Sequence, residues 1–164
     1  MVHFSKLILT IGIPGAGKTT WVQQYKKQHP LTFVISTDAL RKELTGCEQC
    51  VDPSQNGMIH EEARKRAKKI IDDPQNYGPE KGLGPEIIID STNVEVNEWM
   101  KYKDLGASVI VAKIFEVEPK IAMKHQENRE RFVPQEILEI KWKQYQENKK
   151  YLPFIFNMIE KVKI

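Results

Sequence analysis

Residues 6–21 read KLILTIGIPGAGKTTW, and the rest of the chain is interpreted outward from them. Leu7–Ile11 is a short run rich in β-branched residues, which is typical of a buried strand. Gly12 to Thr19 then match the pattern G-x-x-x-x-G-K-[ST], between that strand and a helix predicted from Lys18 to His29. Glycines in such a turn let successive backbone N–H groups face inward, where they hold phosphate oxygens. The stretch therefore predicts a phosphate-binding loop, called the P-loop below.

The residues of the P-loop have distinct predicted roles. The helix that starts at Lys18 directs its unpaired N–H groups and the positive end of its dipole at a bound phosphate. Lys18 is expected to reach the β- and γ-phosphates of ATP, and the Thr19 hydroxyl to ligate Mg²⁺. The alternative is a glycine-rich turn that binds no nucleotide, or that binds another anion. The predicted ATP-binding residues of the loop are Gly12, Pro14, Gly15, Ala16, Gly17, Lys18, Thr19 and Thr20.

The remaining chain alternates between β-branched runs and helical segments, which favours a parallel sheet. Glycines and prolines interrupt this pattern at 45–57 and 78–85, which are predicted to be loops. The tail, 151–164, is predicted to add an edge strand or to wrap the core. We expect one domain over residues 1–164, an α/β P-loop NTPase three-layer sandwich whose parallel sheet of four to five strands is flanked by helices. The other predicted elements are strands at 32–35, 87–90 and 109–115 and helices at 38–44, 58–71, 94–105, 119–128 and 134–150.

Two aspartates follow the second and third predicted strands. Ligands in open α/β sheets bind beyond the carboxyl ends of the strands, so Asp38 and Asp90 should face the P-loop. Asp90 is the predicted partner of Thr19 in the Mg²⁺ site, and Asp38 is placed to accept a proton from an attacking hydroxyl. Arg41 follows three residues after Asp38 on a predicted helix, where it would keep that carboxylate ionised and oriented. The alternative role for either aspartate is capping of the helix or turn that follows it.

Two arginines, Arg129 and Arg131, lie between the last two predicted helices. A lid near 125–134 would supply a guanidinium to a phosphoryl group in transfer, because negative charge grows there in the transition state. The alternative is a solvated helix end, whose arginines pair weakly with Glu127 and Glu130.

These segments resemble the kinase domain of phage-type polynucleotide 5′-hydroxyl kinases. Besides the P-loop stretch, the resemblance rests on ISTDALR at 35–41, IIIDSTN at 87–93 and the pairs Asn128-Arg129 and Val133-Pro134, all in the family's order. It covers nearly the whole chain. The resemblance implies transfer of the γ-phosphate of ATP to the 5′-hydroxyl end of DNA or RNA.

The resemblance also implies roles for single residues. Asp38 would be the general base, and Arg41 would bind the phosphate of the acceptor. Arg129 would clamp the donor phosphates from the lid. The implied catalytic set is therefore Lys18, Asp38, Arg41 and Arg129, with Thr19 and Asp90 as the metal ligands.

Three positions depart from the family's pattern. Asp90 and Ser91 match, in reversed order, a Ser-Asp pair that helps to place the equivalent of Arg41. His125 stands where the family has a second lid arginine. The chain contains no D-x-D-x-T motif, so the phosphatase activity of some family members is not expected.

Other features are assigned structural roles. Cys47 and Cys50 have the spacing of half a zinc site and His60 lies downstream, but a structural site needs four ligands, so two free thiols are expected. The basic run at 61–69 could follow a nucleic-acid backbone, yet acids precede bases along it, as on a solvated helix. The aromatic residues predicted to lie in the core are Trp99, Trp142 and Tyr145.

Composition limits the possible functions. A chain of 164 residues with 40% hydrophobic residues and a net charge of +3 suits one folded domain and excludes a wholly disordered one. No apolar run approaches the roughly 20 residues that span a bilayer, so a cytoplasmic location without a membrane partner is expected, and a homo-oligomer remains open. The expected function is an ATP-dependent polynucleotide 5′-hydroxyl kinase that uses Mg²⁺ and binds 5′-OH ends of DNA or RNA. The alternatives are a kinase for a small hydroxylated metabolite or nucleoside, and a nucleotide-binding ATPase or switch that transfers nothing.

Overall fold

The computed structural model describes residues 4–47, 53–78, 83–127 and 132–163. Its strands are β1 Phe4–Ile11, β2 Phe33–Ser36, β3 Leu83–Asp90, β4 Val109–Ile114 and β5 Met158–Lys161. They form one five-stranded sheet in the order β2-β3-β1-β4-β5, and every neighbouring pair is parallel. The prediction of a parallel sheet of four to five strands is confirmed. Because all strands end at the same edge, the segments that follow β1, β2 and β3 meet there.

Helices cover both faces of the sheet. Side chains alternate across β1, so Leu7 and Leu9 pack into the large core cluster on one face, with Trp99. Ile8 points to the other face and packs with Val22 of the first helix. This alternation produces the predicted three layers. The helices are α1 Lys18–Gln28, α2 Thr37–Thr45, α3 Pro53–Ile71, α4 Pro74–Tyr77, α5 Val96–Lys103, α6 Pro119–Gln126, α7 Gln135–Asn148 and α8 Leu152–Ile155, with a 3₁₀ turn at Lys149–Tyr151.

β3 begins at Leu83, so the prediction of a loop through residue 85 is wrong for its last three residues. The register of β1 against β3 is irregular next to Pro85. Proline has no N–H to donate, and at this irregular position no regular hydrogen bond between the two strands is lost. β2 pairs with β3 only from Ile87 onward, so the proline also lies outside that ladder. Gly84 approaches the Phe4 carbonyl so closely that a Cβ would collide with it. A proline and a glycine therefore mark an irregular strand end here.

The start of α3 also differs from the prediction. α3 begins at Pro53 rather than at residue 58, because proline is tolerated in the first turn of a helix and Gly57 continues it. The loop predicted at 45–57 is therefore wrong for 53–57, and residues 48–52 lie outside the described residues. The tail does add an edge strand, since β5 pairs with β4.

The predictions for the cysteines, the basic helix and the core aromatic residues are confirmed only in part. Cys47 is disulfide-bonded, so the expectation of a free thiol, which followed from the rejection of a zinc site, is wrong for this residue, and Cys50 lies outside the described residues. On α3, Lys65, Lys68 and Lys69 are exposed, as expected of a solvated helix face, whereas Arg64 pairs with Glu98 at 2.8 Å. No helix in the described parts of the chain is long and apolar enough to cross a bilayer. Of the predicted core aromatics, Trp99 and Tyr145 are buried and Trp142 is half-buried.

Candidate active site

The P-loop lies between β1 and α1, at the edge of the sheet where the strands end. The Gly12 N–H donates to the Thr92 carbonyl at 3.1 Å, which ties the loop to the segment after β3. Gly15 and Gly17 have φ angles of 85° and 94°, in a region that glycine adopts without steric cost. A Cβ at Gly12 would lie 2.8 Å from the Phe115 carbonyl oxygen. Backbone conformation and close packing therefore both require glycine in this loop.

A cavity of about 120 Å³, the P-loop cavity, opens beside the loop. Ala16 is buried in a hydrophobic cluster and Thr20 is exposed, and in the described structure neither of them nor Gly12 lines this cavity. The remaining predicted ATP-binding residues do line it: Pro14, Gly15, Gly17, Lys18 and Thr19. The cavity therefore presents the part of the loop that the motif assigns to phosphates.

Lys18 supplies a buried positive charge to the wall of the P-loop cavity. Its ammonium group donates to the carbonyl oxygens of Gly12 and Ile13, both at 2.7 Å. A buried ammonium needs such partners, because burial otherwise disfavours its charged form. The loop thus holds Lys18 in the position from which a cation can neutralise phosphate oxygens.

Thr19 and Asp90 are brought together as predicted. The Thr19 hydroxyl donates to Asp90 Oδ2 at 3.3 Å. Asp90 is 8% exposed, and this burial raises the pKa of its carboxyl, as does the negative charge of Asp38, while Lys18 and Thr19 oppose the shift. A hydroxyl and a carboxylate are hard oxygen donors of the kind that bind Mg²⁺. The nearby positive charge compensates the Asp90 carboxylate only in part, so this pair fits the ion. The described residues contain no cluster of three or more acidic, His or Cys ligands.

Asp38 and Arg41 form an ion pair in the first turns of α2. Arg41 Nη1 donates to Asp38 Oδ1 at 2.7 Å, and the two side chains are 9% and 41% exposed. The helix is capped by Ser36, whose hydroxyl accepts from the Ala39 N–H at 3.2 Å. Ser36 therefore fills the N-cap role that the sequence left open for Asp38. The Arg41 Nε is buried and has no hydrogen-bond partner among the described residues.

A second cavity, the outer cavity, has a volume of about 920 Å³ and lies next to the first. Arg41 and Glu98 line it, together with Phe132 and Ile137 from the segment before α7 and from α7 itself. Asp38 lines both cavities. The structure therefore places this carboxylate where the two cavities meet. The other residues that line both are Pro14, Thr37, Ser91, Thr92 and Val133.

The turn after β3 is fixed by hydrogen bonds to β1. Asn93 adopts a left-handed conformation with φ of 48°, and its Nδ2 donates to the Thr10 carbonyl at 2.9 Å. The Thr10 hydroxyl donates to the Ser91 carbonyl at 3.0 Å. The resemblance implies that Asp90 or Ser91 helps to place Arg41, but neither of them hydrogen-bonds Arg41 in the described structure. Asp38 is the residue that holds the Arg41 guanidinium. Thr10 and Asn93 were missed, because their role depends on strands that are distant in the sequence.

The predicted lid region packs on the P-loop through α6. His125 Nδ1 lies 2.7 Å from the Gly15 carbonyl oxygen. Gln126, which is buried, accepts from the Val133 N–H at 3.0 Å and donates to the Val133 carbonyl at 3.3 Å. These bonds join the two ends of the predicted lid. Arg129 and Arg131 lie outside the described residues.

A half-buried polar group at the wall of the outer cavity was also missed. His60 Nδ1 lies 3.7 Å from Glu98 Oε2, and Arg64 donates to the same carboxylate oxygen at 2.8 Å. Burial lowers the pKa of His60, and Arg64 and Arg41 act in the same direction, while Glu98 opposes them. The imidazole is therefore neutral at neutral pH. The sequence offered His60 only as a remote zinc ligand, because nothing local connects it with Glu98.

Several solved structures are similar to this chain. A chain of the Pnkp1/Rnl/Hen1 RNA repair complex superposes with a TM-score of 0.69 at 20% identity, over 92% of this chain and 47% of that one. This chain thus spans about half the length of that relative. A gluconokinase from Sinorhizobium meliloti 1021 superposes with a TM-score of 0.64 at 11% identity, over 98% of this chain and 83% of that chain. A deoxyadenosine kinase from M. mycoides superposes with a TM-score of 0.55 at 17% identity, over 96% of this chain and 90% of that chain.

At these identities the superpositions show the fold, the α/β arrangement of P-loop kinases. The sequence establishes the family, because residues 7–151 match the protein family described as an AAA domain. The match covers most of the chain and includes the P-loop, α2 and the turn after β3. The P-loop kinase fold that the sequence predicts is thereby confirmed. The chain therefore belongs to the AAA domain family and has the fold of P-loop kinases.

Proposed function

We propose that this protein is an ATP-dependent polynucleotide 5′-hydroxyl kinase. The observation that carries the proposal is the position of Asp38, which lines both the P-loop cavity and the outer cavity and is oriented by Arg41. A carboxylate between a phosphate-holding loop and a second cavity suits a base that deprotonates an alcohol. A switch that transfers nothing needs no base directed at an acceptor alcohol.

The proposed reaction is a direct phosphoryl transfer. The acceptor oxygen forms a bond to the γ-phosphorus of ATP, while the bond from that phosphorus to the β,γ-bridging oxygen breaks and ADP leaves. Asp38 takes the proton that the acceptor hydroxyl loses. Lys18 and the N–H groups of the P-loop stabilise the negative charge on the phosphate oxygens. Arg129 is proposed as a clamp on the donor phosphates, from a lid near 125–134 within a single domain.

Thr19 and Asp90 are the proposed ligands of Mg²⁺. When bound, the ion supplies positive charge that lowers the repulsion between the phosphates and an incoming oxygen. Asp90 needs that charge, because its burial leaves the carboxylate only partly compensated.

The proposal of a polynucleotide acceptor rests on Arg41. Its guanidinium is nine-tenths buried in the wall of the outer cavity, close to the proposed base. A guanidinium matches the geometry of a phosphate, and the first phosphate of a 5′-OH strand lies one nucleoside away from the reacting hydroxyl. A nucleoside or a gluconate carries no such phosphate.

A kinase for a small hydroxylated metabolite or nucleoside is the second candidate. The outer cavity, at about 920 Å³, is within the range of small-molecule pockets, roughly 300–1,000 Å³. This chain also covers 83% of the similar gluconokinase and 90% of the similar deoxyadenosine kinase, which supports a small-molecule acceptor.

The deciding experiment offers γ-labelled ATP and Mg²⁺ with a panel of acceptors. The panel contains 5′-OH DNA and RNA oligonucleotides, 3′-nucleotides, nucleosides and gluconate. We expect label on the oligonucleotides and on 3′-nucleotides, which both carry the phosphate that Arg41 would bind. Label on nucleosides or gluconate alone would establish the second candidate, and ATP hydrolysis without any labelled acceptor would establish a switch.

The Asp38→Asn variant tests the base. We expect a loss of transfer of at least about 100-fold with nearly unchanged ATP binding, because general-base catalysis contributes roughly 10²–10⁴-fold. Asp72→Asn is the matched control, since Asp72 is an exposed carboxylate that pairs with Lys68 on the surface. Transfer by Asp38→Asn at the rate of the control would remove Asp38 from the proposed role.

A further inference from the structure

The outer cavity offers few cations for phosphate recognition. In the described parts of the chain, its lining contains Arg41, Lys141 and the neutral His60 as basic groups. Lys141 lies 3.9 Å from Glu95, which also lines the cavity. The wall around Arg41 can therefore hold one phosphate well, and the rest of a bound acceptor must be held by contacts that are not ionic.

Phe132 is the large exposed aromatic side chain in this wall. It lines the outer cavity and is 59% exposed. The next residue, Val133, is fixed by both of its backbone hydrogen bonds to Gln126 and packs in the hydrophobic cluster around Ile13. The backbone beside Phe132 is therefore anchored, while its ring is presented at the cavity.

The surroundings of the ring favour a flat, largely apolar occupant. The next described residues along the chain that line the cavity, Val133, Pro134 and Ile137, carry no charge. Asp38 and Arg41 line the same cavity. An acceptor whose hydroxyl is near Asp38 and whose phosphate is near Arg41 has one remaining part, the base of its terminal nucleotide.

We propose that Phe132 binds the terminal base of a 5′-OH strand by stacking, an inference that rests on the proposed function. Stacking is indifferent to base identity, because every base has a π-face. The predicted specificity is therefore for a terminal nucleotide that carries a base, whichever base it is. Loss of one base–aromatic stack weakens binding roughly 5- to 150-fold.

The test compares two acceptors that differ only in the terminal base. One is a 5′-OH oligonucleotide, and the other is the same strand with an abasic 5′-terminal residue. Steady-state KM and kcat are measured for the unmodified protein, Phe132→Ala, Phe132→Trp and the control Phe154→Ala. Phe154 is 76% exposed and lies on α8, so this control also removes an exposed aromatic ring.

We expect Phe132→Ala to raise the acceptor KM about tenfold on the strand with a terminal base and to leave the KM for ATP unchanged. On the abasic strand, Phe132→Ala and the unmodified protein should have equal KM values. Phe132→Trp and Phe154→Ala should behave like the unmodified protein. Equal effects of Phe132→Ala on both strands, or no effect on either, would overturn the stacking role and leave the kinase activity in place. No transfer to any oligonucleotide by the unmodified protein would refute the proposed function itself.

Discussion

The Asp90 carboxyl lies in the wall of the P-loop cavity with little access to water, and burial raises its pKa above that of a free aspartate. The folded protein therefore binds this proton more tightly than the unfolded chain does. The free energy of unfolding must then fall as the pH rises from the ordinary aspartate value, about 3.9, through the raised folded value. Above that pH range the Asp90 carboxyl is ionised in the folded protein, and the full free-energy cost of its buried charge is present. The charge is thus kept at the expense of stability.

Asp90→Asn should remove this cost. In EDTA at pH 8 we expect a higher melting temperature for the variant than for the unmodified protein. The difference should shrink at acidic pH, where Asp90 is protonated in the folded state. Added Mg²⁺ should raise the melting temperature of the unmodified protein and leave that of Asp90→Asn nearly unchanged.

Thermal unfolding with and without Mg²⁺ across this pH range checks the prediction. Asp72→Asn serves as control, because Asp72 is exposed and its replacement should leave the response to Mg²⁺ intact. A lower melting temperature for Asp90→Asn than for the unmodified protein at pH 8 in EDTA would show that its charge is well compensated.

Two elements meet where α6 packs on the P-loop. A Cβ at Gly15 would lie 2.8 Å from the Ala122 carbonyl oxygen of α6, and the φ of 85° already disfavours an L side chain. Gly46 has a similar φ of 80° at the end of α2, but a Cβ there meets nothing within 4 Å. The two glycines therefore separate the cost of the backbone conformation from the cost of the collision.

We expect Gly46→Ala to lower the free energy of unfolding by about 1 kcal/mol, the cost of the left-handed conformation alone. Gly15→Ala should lower it by about 1–3 kcal/mol more, because α6 has to move away from the loop. Urea denaturation without nucleotide measures both. Equal losses for the two variants would show that α6 adjusts without strain.

The elements that the sequence predicts well are those whose signals are local. The P-loop motif, the apolar run before it and the aspartates after two strands need only near neighbours, and the structure places Lys18, Thr19, Asp38 and Asp90 along one pair of cavities. The start of β3 was missed because Pro85 is accommodated by a register irregularity in a distant strand. Gln126 and His60 were missed because their partners lie on other elements.

Across the whole molecule, Trp99 connects the core to the candidate site. Its ring is fully buried, and its Nε1–H donates to the Asn93 carbonyl at 2.6 Å, in the turn that follows Asp90. We expect Trp99→Phe to lower the free energy of unfolding by about 2–4 kcal/mol, because it leaves a buried carbonyl unpaired and a void beside Phe156. Urea denaturation followed by circular dichroism measures the loss.

Trp142→Phe is the matched comparison, because Trp142 is only half-buried between α7 and the core. It should cost about 1 kcal/mol or less. A cost for Trp142→Phe as large as that for Trp99→Phe would mean that the bond to Asn93 contributes little.

The wall between the two cavities has a thermodynamic consequence. Thr37, Ser91, Thr92 and Val133 face both spaces, so a ligand that displaces any of them on one side changes the wall that a ligand on the other side meets. Occupation of the two cavities is therefore coupled through this shared wall. Since free energy is independent of path, each ligand must change the affinity of the other by the same factor, whichever arrives first.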